Sequence, residues 1–351
     1  MNPRTLARVS RVGGLGLGVA AGLFCILWIG FIGRSMAFGT AIDDPKNFII
    51  VMLNGITAAG LYFVVASGFT LIFGLMRVVN MAHGSFFLFG GYIALKLQQK
   101  MVGGGGSFGL SSSQVSVINW VVPFIVGTLA VGVVGLVMQQ LLLRWNQGED
   151  LRQALITIAV SIIFADQMLS YFGGVAQGIT WPGRVDNFVD LRVEGVQYSE
   201  ERLIILAMAI IIGVGLYLWL QKTRTGMVIR AGVDDRAMVS ALGINIQRTF
   251  AVAFFVGSAL AGLGGVVGGS FASLAPGVDS NWLLNSLVVV IIGGMGSLGG
   301  AAIGSLLLGL TTNLSAAYLP QAYNYYSIVL TFVLLAIVLA IRPLGIFGRP
   351  A

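Results

Sequence analysis

The chain offers few groups able to do acid–base or ligand chemistry. One histidine, His83, and one cysteine, Cys25, stand among 351 residues. A zinc site of the usual kind needs several such ligands, and a disulfide within the chain needs two cysteines, so both are excluded. Asp166 is the one carboxylate inside an apolar run, with Gln167 beside it. An ionisable residue in lipid either has a function or pairs with another polar group. Asp166 also stands late in its run, where it could simply reach the interface. His83 reads in two ways. It could relay protons together with Asp166, or it could bond structurally at a helix entry, where Asn80 and Ser85 flank it and orphan amides need partners. A lone titratable group favours the structural reading. With no nucleophile–base pair and no cluster of carboxylates, no enzyme is expected. No Walker A motif is present, so the chain cannot bind ATP in the P-loop manner.

Two further groups of residues carry information. Asn54, Thr57, Ser67 and Thr70 make a thin polar stripe inside an apolar stretch, which could line a path or serve only to pack helices. The hydrophilic segment 221–249 holds Arg230, Asp234, Asp235, Arg236, Ala237, Ala241 and Gly243. Asp234 is placed to cap a short helix over 235–242, and Gly243 to end it in a left-handed turn. Such a helix between two spans is either a docking knob for another protein or a solvated connection.

The elements that must position these residues follow from composition. Hydrophobic residues make up 57% and charged residues 9%, against about 25% charged in an ordinary soluble domain. So apolar a surface suits lipid. The net charge of +7 is spread between apolar runs, which speaks for membrane topology rather than nucleic acid. Fifty glycines lie within those runs without a collagen period, as residues that let membrane helices approach closely.

Apolar runs fall at 13–32, 48–75, 85–97, 120–143, 154–172, 203–220, 250–274, 282–314 and 327–341. The first is longer than the ~7–15 residues of a signal-peptide core, so an uncleaved anchor is expected despite the small residues Ser35, Met36 and Ala37. The run 282–314 is broken by glycines at 293–300 into two short helices. The fold expected is all-α: a polytopic membrane protein of about nine to ten helices. With the N-terminus inside, thirteen Lys/Arg fall inside and seven outside, which places both termini in the cytoplasm. Alternating apolar residues late in the outer loop 173–202 predict a small hairpin, and the glycine-rich 103–113 reads as a linker.

Three segments resemble one known family. Asn54-Gly55, Tyr62, Gly68, Thr70, Phe73-Gly74, Asn80, Ala82-His83-Gly84, Phe86 and Gly90 resemble the first signature of branched-chain amino acid ABC permeases. Thr223 to Gly226, Arg230-Ala231, Asp234-Asp235, Ala241 and Leu242-Gly243-Ile244 resemble their cytoplasmic coupling segment. The stretch from Gly293 through Gly300 to Gly304 resembles their late glycine-rich motif. The resemblance implies a bacterial inner-membrane permease that imports branched-chain or other small amino acids, or urea, short amides or small carboxylates. It also implies two cytoplasmic ATPases that bind ATP and Mg, a second homologous permease and an extracytoplasmic binding protein. On this view the permease body spans 48–342, between an N-terminal anchor region 1–47 and a cytoplasmic tail 343–351. The segment around Asp234 and Gly243 would couple to an ATPase. Asn54, Thr57, Ser67 and Thr70, with His83 and Asp166, would lie along the path.

Overall fold

The computed structural model describes residues 44–77, 79–103, 114–146, 148–185, 187–190, 196–319 and 326–348. The first apolar run, the linker beyond Gly103 and the last three residues lie outside the described residues. So do the side chains of Asp234, Arg236 and Ala237.

Every apolar run within that range is a helix. In order, α1 spans Pro45–Met76, α2 His83–Val102, α3 Val117–Met138, α4 Asp150–Phe172 and α5 Glu200–Lys222. Two short helices follow, α6 Arg224–Asp234 and α7 Arg236–Ala241. Then come α8 Ile246–Phe271, α9 Val278–Gly293, α10 Leu298–Tyr318 and α11 Tyr326–Ile341. Six of these, α1, α3, α4, α5, α8 and α10, are long and apolar enough to cross a membrane. With α2 and the shorter α9 and α11, nine helices form the bundle among the described residues. The expected hairpin is present: β1 Phe188–Asp190 pairs antiparallel with β2 Gln197–Ser199, with Val189 opposite Tyr198.

Local chemistry sets the helix limits. Asp44 caps α1 by accepting from the Asn47 N–H at 3.1 Å, and Pro45 takes the first helical position, where no N–H is needed. At 1.5 Å per residue the 32 residues of α1 run about 48 Å, well beyond the ~30 Å of a hydrocarbon core. α3 loosens into a π-helical turn at Gln139–Leu143 before the chain reverses.

α8 is the axis of the bundle. Of its apolar stretch 78% is buried, against 11% for α4 and 17% for α5 at the periphery. Helices surrounded by lipid gain nothing from hiding apolar surface, so they associate by close packing. Glycines on α8 permit that contact. A Cβ on Gly265 would lie 1.7 Å from the Phe87 carbonyl oxygen of α2, and one on Gly90 2.6 Å from the Gly262 backbone. Phe87 in turn stacks on Trp282 of α9 at 4.3 Å.

The loop from α4 to α5 is held down rather than loose. Gln177 and Leu274 exchange backbone bonds at 2.9 and 2.7 Å, and Ile179 N–H donates to Gly269 O at 2.8 Å. The Gln98 amide pairs with both Thr180 backbone groups, and Trp181 donates to Ser270 O while stacking on Trp120. These bonds tie α2, α8 and the loop together at one end of the bundle. Gly265→Val should therefore cost more than the ~1–3 kcal/mol of ordinary overpacking, because the atom it meets is backbone. Thermal unfolding in detergent should show a large drop in midpoint, while Gly215→Ala, with open space around it, should leave the midpoint where it was.

Candidate functional site: a docking end and a polar mouth

Two features stand at opposite ends of the bundle. The first is the segment 221–249. Thr223 begins it: its hydroxyl donates to Trp219 O at 2.7 Å and accepts from Gly226 N–H at 3.0 Å. The helix this starts, α6, continues to Asp234 because Ile229 is buried under it and Val233 packs on the bundle. Asp234 is thus the last residue of α6 and not a cap. The cap of α7 is Asp235, which accepts from Met238 N–H at 3.0 Å. The expected single helix over 235–242 is corrected to two helices meeting at Asp235. Gly243 does adopt a left-handed conformation (φ 76°) just after α7, as expected.

This pair of helices has a seat. A Cβ on Gly74 of α1 would lie 3.1 Å from Gly296 and 3.6 Å from a Val233 methyl. Gly296 (φ 80°) belongs to the turn between α9 and α10. Gly232 faces Leu75 and Ile246. Arg77, left-handed at φ 56°, donates to Val233 O at 3.5 Å near the C-terminus of α6, where a cation is favoured. On the outer side, Val239 is buried while Met238 and Leu242 are 60% and 71% exposed. Arg230 is exposed and donates to Gln221 at 2.6 Å, and Ala241 is exposed too. The segment is a partly apolar knob packed between the end of α1 and the glycine turn.

The turn itself is completed by residues that sequence reasoning assigned to a tail. Ile346 and Phe347 N–H donate to Ile292 O and Gly293 O at 2.9 Å each. They satisfy carbonyls that the end of α9 leaves open.

The second feature is at the other end of α1. Thr57 is buried, and its hydroxyl lies 2.9 Å from the Tyr198 hydroxyl of β2. Arg202, in the first turn of α5, donates to Asn54 Oδ1. Its guanidinium lies 5.9 Å from the rings of both Tyr198 and Phe271. Burial pushes the Tyr198 phenol up, and the Thr57 bond and Arg202 only partly offset this, so it keeps its proton at neutral pH.

The remaining candidates fall elsewhere. Ser67 and Thr70 are buried, but their hydroxyls donate back to Val64 O and Ala66 O of their own helix, each at 2.8 Å. In this structure both hydroxyls are satisfied within α1. His83 is fully enclosed, with Nε2 3.0 Å from Val65 O and its ring edge-on to Phe69 at 5.3 Å. Asn80 accepts from Ala82 N–H, and the Ser85 and Ser161 hydroxyls pair at 2.8 Å. These are the bonds of a structural helix entry. Asp166 lies exposed on α4 and accepts from Gln167 Nε2 at 3.5 Å, while His83 is enclosed. Sequence reasoning missed Tyr198 and Arg202, whose partners are about 140 residues away in the chain. It also missed Asp279, which is buried in the first turn of α9 against Gly84.

The sequence profile of the family described as the permease component of the branched-chain amino acid transport system matches residues 51–338. The chain is 28% identical over 313 residues to the Salmonella typhimurium high-affinity branched-chain amino acid transport system permease protein LivH, covering 86% of this chain and 96% of the relative. It is 28% identical over 315 residues to the corresponding BraD protein of Pseudomonas aeruginosa, covering 88% and 98%. A probable branched-chain amino acid permease of Methanocaldococcus jannaschii is 25% identical over 309 residues, covering 85% and 92%. No solved structure matches the chain.

The seat of α6 has a direct check. Gly74→Cys with Val233→Cys, in a chain whose Cys25 is replaced by serine, should form a disulfide under mild oxidation, because the two positions are in contact. Mass spectrometry of the digested protein should recover the linked peptides. Pairing Gly74→Cys with a cysteine at the exposed Val137 should yield none.

Proposed function

The chain belongs to the branched-chain amino acid transport permease family, and on that premise we propose that it is the membrane subunit of an ATP-driven importer of branched-chain or other small amino acids. It is a multi-pass membrane transport protein and not a catalytic enzyme. The observation that carries the finer reading is the α6–α7 knob: anchored inward by Ile229 and Val239, it offers Met238 and Leu242 to a partner. Exposed apolar residues on a rigid helix, rimmed by Arg230 and Asp235, suit a groove on another protein better than they suit water.

In this reading the partners are two cytoplasmic ATPases, which alone bind ATP and Mg. Each receives one knob. The Lys/Arg excess puts this end in the cytoplasm of a bacterial inner membrane, with both termini there. Closure of the ATPases would press on α6 and, through Gly74 and Gly296, on α1 and the α9–α10 turn together. Those elements cross the bundle to the polar mouth, where α1 carries Asn54 and Thr57. A second homologous permease completes the membrane unit, and an extracytoplasmic binding protein delivers substrate to the mouth formed by loop 173–202. The switch is alternating access, since a ligand such as ATP can only bias arrangements that differ in affinity for it.

The test is co-expression with candidate ATPases and the companion permease, followed by affinity purification through this chain. The intact chain should retain the ATPases. Met238→Asp with Leu242→Asp should reduce their recovery at least tenfold without changing the thermal midpoint, because both side chains are exposed. Undiminished recovery with the double variant would sink the docking role. Solute uptake by the chain alone in liposomes, driven by a proton gradient, would replace the importer with a carrier.

A further inference from the structure

We propose that the outward face of α4, centred on Asp166, is where the companion permease packs, through a membrane helix that brings a lysine or arginine to that carboxylate. The inference rests on the import reading and deepens it: it names the surface by which this chain meets its membrane partner.

The argument starts from where Asp166 points. Leu155, Ala159, Ile162, Asp166 and Ser170 recur at helical spacing on one face of α4, and all are exposed. Gln153, Thr157 and Met168, the buried residues of α4, lie on the opposite face. The carboxylate is thus aimed away from the bundle. Among the described residues its one hydrogen bond comes from the neutral Gln167 amide, at 3.5 Å, and it belongs to no ion pair. Gln167 is exposed as well, so a small polar patch of Asp166, Gln167 and Ser170 interrupts an apolar surface.

Depth decides what can cover that patch. The 23 residues of α4 run about 34 Å, close to the ~30 Å of a hydrocarbon core. The Arg152–Glu149 pair marks one end and Phe172 the other. Asp166 stands six residues, about 9 Å, short of Phe172. A lysine or arginine reaches the interface from such a depth on its long stem. Aspartate, with a single methylene, does not. A carboxylate aimed into acyl chains is costly, and ionisable residues at such positions face protein and pair there. Lipid suits the Leu155 to Ile162 part of the face but not the part from Asp166 to Ser170. A polar group of this kind holds two membrane helices together once it meets its donor. A second copy of this chain is the wrong occupant. A two-fold contact presents the same patch from both sides, which sets carboxylate against carboxylate at one depth. A homologous companion can carry the opposite charge there. The several N–H groups of one lysine or arginine serve Asp166 and also the Gln167 carbonyl or the Ser170 hydroxyl.

The experiment uses the full chain co-expressed with the companion permease and the ATPases. p-Benzoylphenylalanine in place of Ile162, one turn from Asp166, should link this chain to the companion on illumination of intact membranes, with the linked peptides identified by mass spectrometry. Asp166→Leu should lower recovery of the companion through this chain at least tenfold. Asp166→Asn, whose amide oxygen still accepts from a donor, should retain part of it. The thermal midpoint of the chain purified alone should not fall in Asp166→Leu, because the carboxylate supports nothing inside the bundle. Undiminished recovery in Asp166→Leu overturns the surface, and so does a midpoint that falls in the chain alone. A link from position 162 to a second copy, to residues 1–43 of the same chain, or to no protein at all overturns it too. ATPase recovery is read separately on the same preparations. A companion linked at position 162 with no ATPase retained leaves the surface standing and removes the importer; ATPases retained with no companion linked does the reverse.

Discussion

In lipid, a helix can hide nothing from water by touching another helix, so the structure depends on how closely backbones can approach. That constraint explains why α8 is the axis. Its glycines let the α2 backbone come so near that a single Cβ on Gly265 would overlap the Phe87 carbonyl. The remaining helices are arranged around that contact. α1 and α3 pack on the same face system through Gly68 with Gly257 and Gly135 with Ser258, while α4 and α5 stay at the rim, free to meet lipid or another chain.

The second demand of lipid is that every backbone polar group be satisfied inside. It governs the breaks. Where α9 stops short, the chain after α11 returns to cap it through Ile346 and Phe347. Where α2 begins deep in the bundle, Thr157 and Asn80 accept from the Met81 and Ala82 N–H groups that no preceding turn bonds. Asn80 and His83, polar residues conspicuous in the sequence, stand at this entry, where the His83 ring meets Val65 O of α1.

Long apolar runs, the glycine break and the small hairpin were legible in the sequence because each rests on local periodicity or turn chemistry. The docking segment was legible in its place and in its terminating Gly243, but not in its cap. Two consecutive aspartates compete for that role, and only the burial of Ile229 decides that α6 runs on through Asp234. The polar mouth was legible by half. Asn54 and Thr57 stood out as polar residues in an apolar helix, but Tyr198 of β2 and Arg202 of α5 lie about 140 residues away, and no local pattern brings them together. Asp166 is conspicuous in the sequence as a charge in an apolar run, and it stands on a helix at the rim of the bundle.

The packing of the interior bears on where a solute could pass. Ser67 and Thr70 spend their hydroxyls on their own helix. A cleft between α1, α5 and α8 is lined by Leu61, Val64, Ile205, Met208 and Ile212, and its volume is ≈ 10 Å³, about what one water molecule needs. An amino acid is several times larger and carries charges that such a wall cannot satisfy. In this conformation that cleft is no route through the chain. Transport by the mechanism proposed then requires either that α1 and α5 part, which a push on Gly74 at the far end of α1 would favour, or that the route follow a face shared with a second permease. α1 runs unbroken from Asn54 and Thr57 to Gly74, which meets Gly296 and Val233, so on the import reading a push on α6 would be carried along α1.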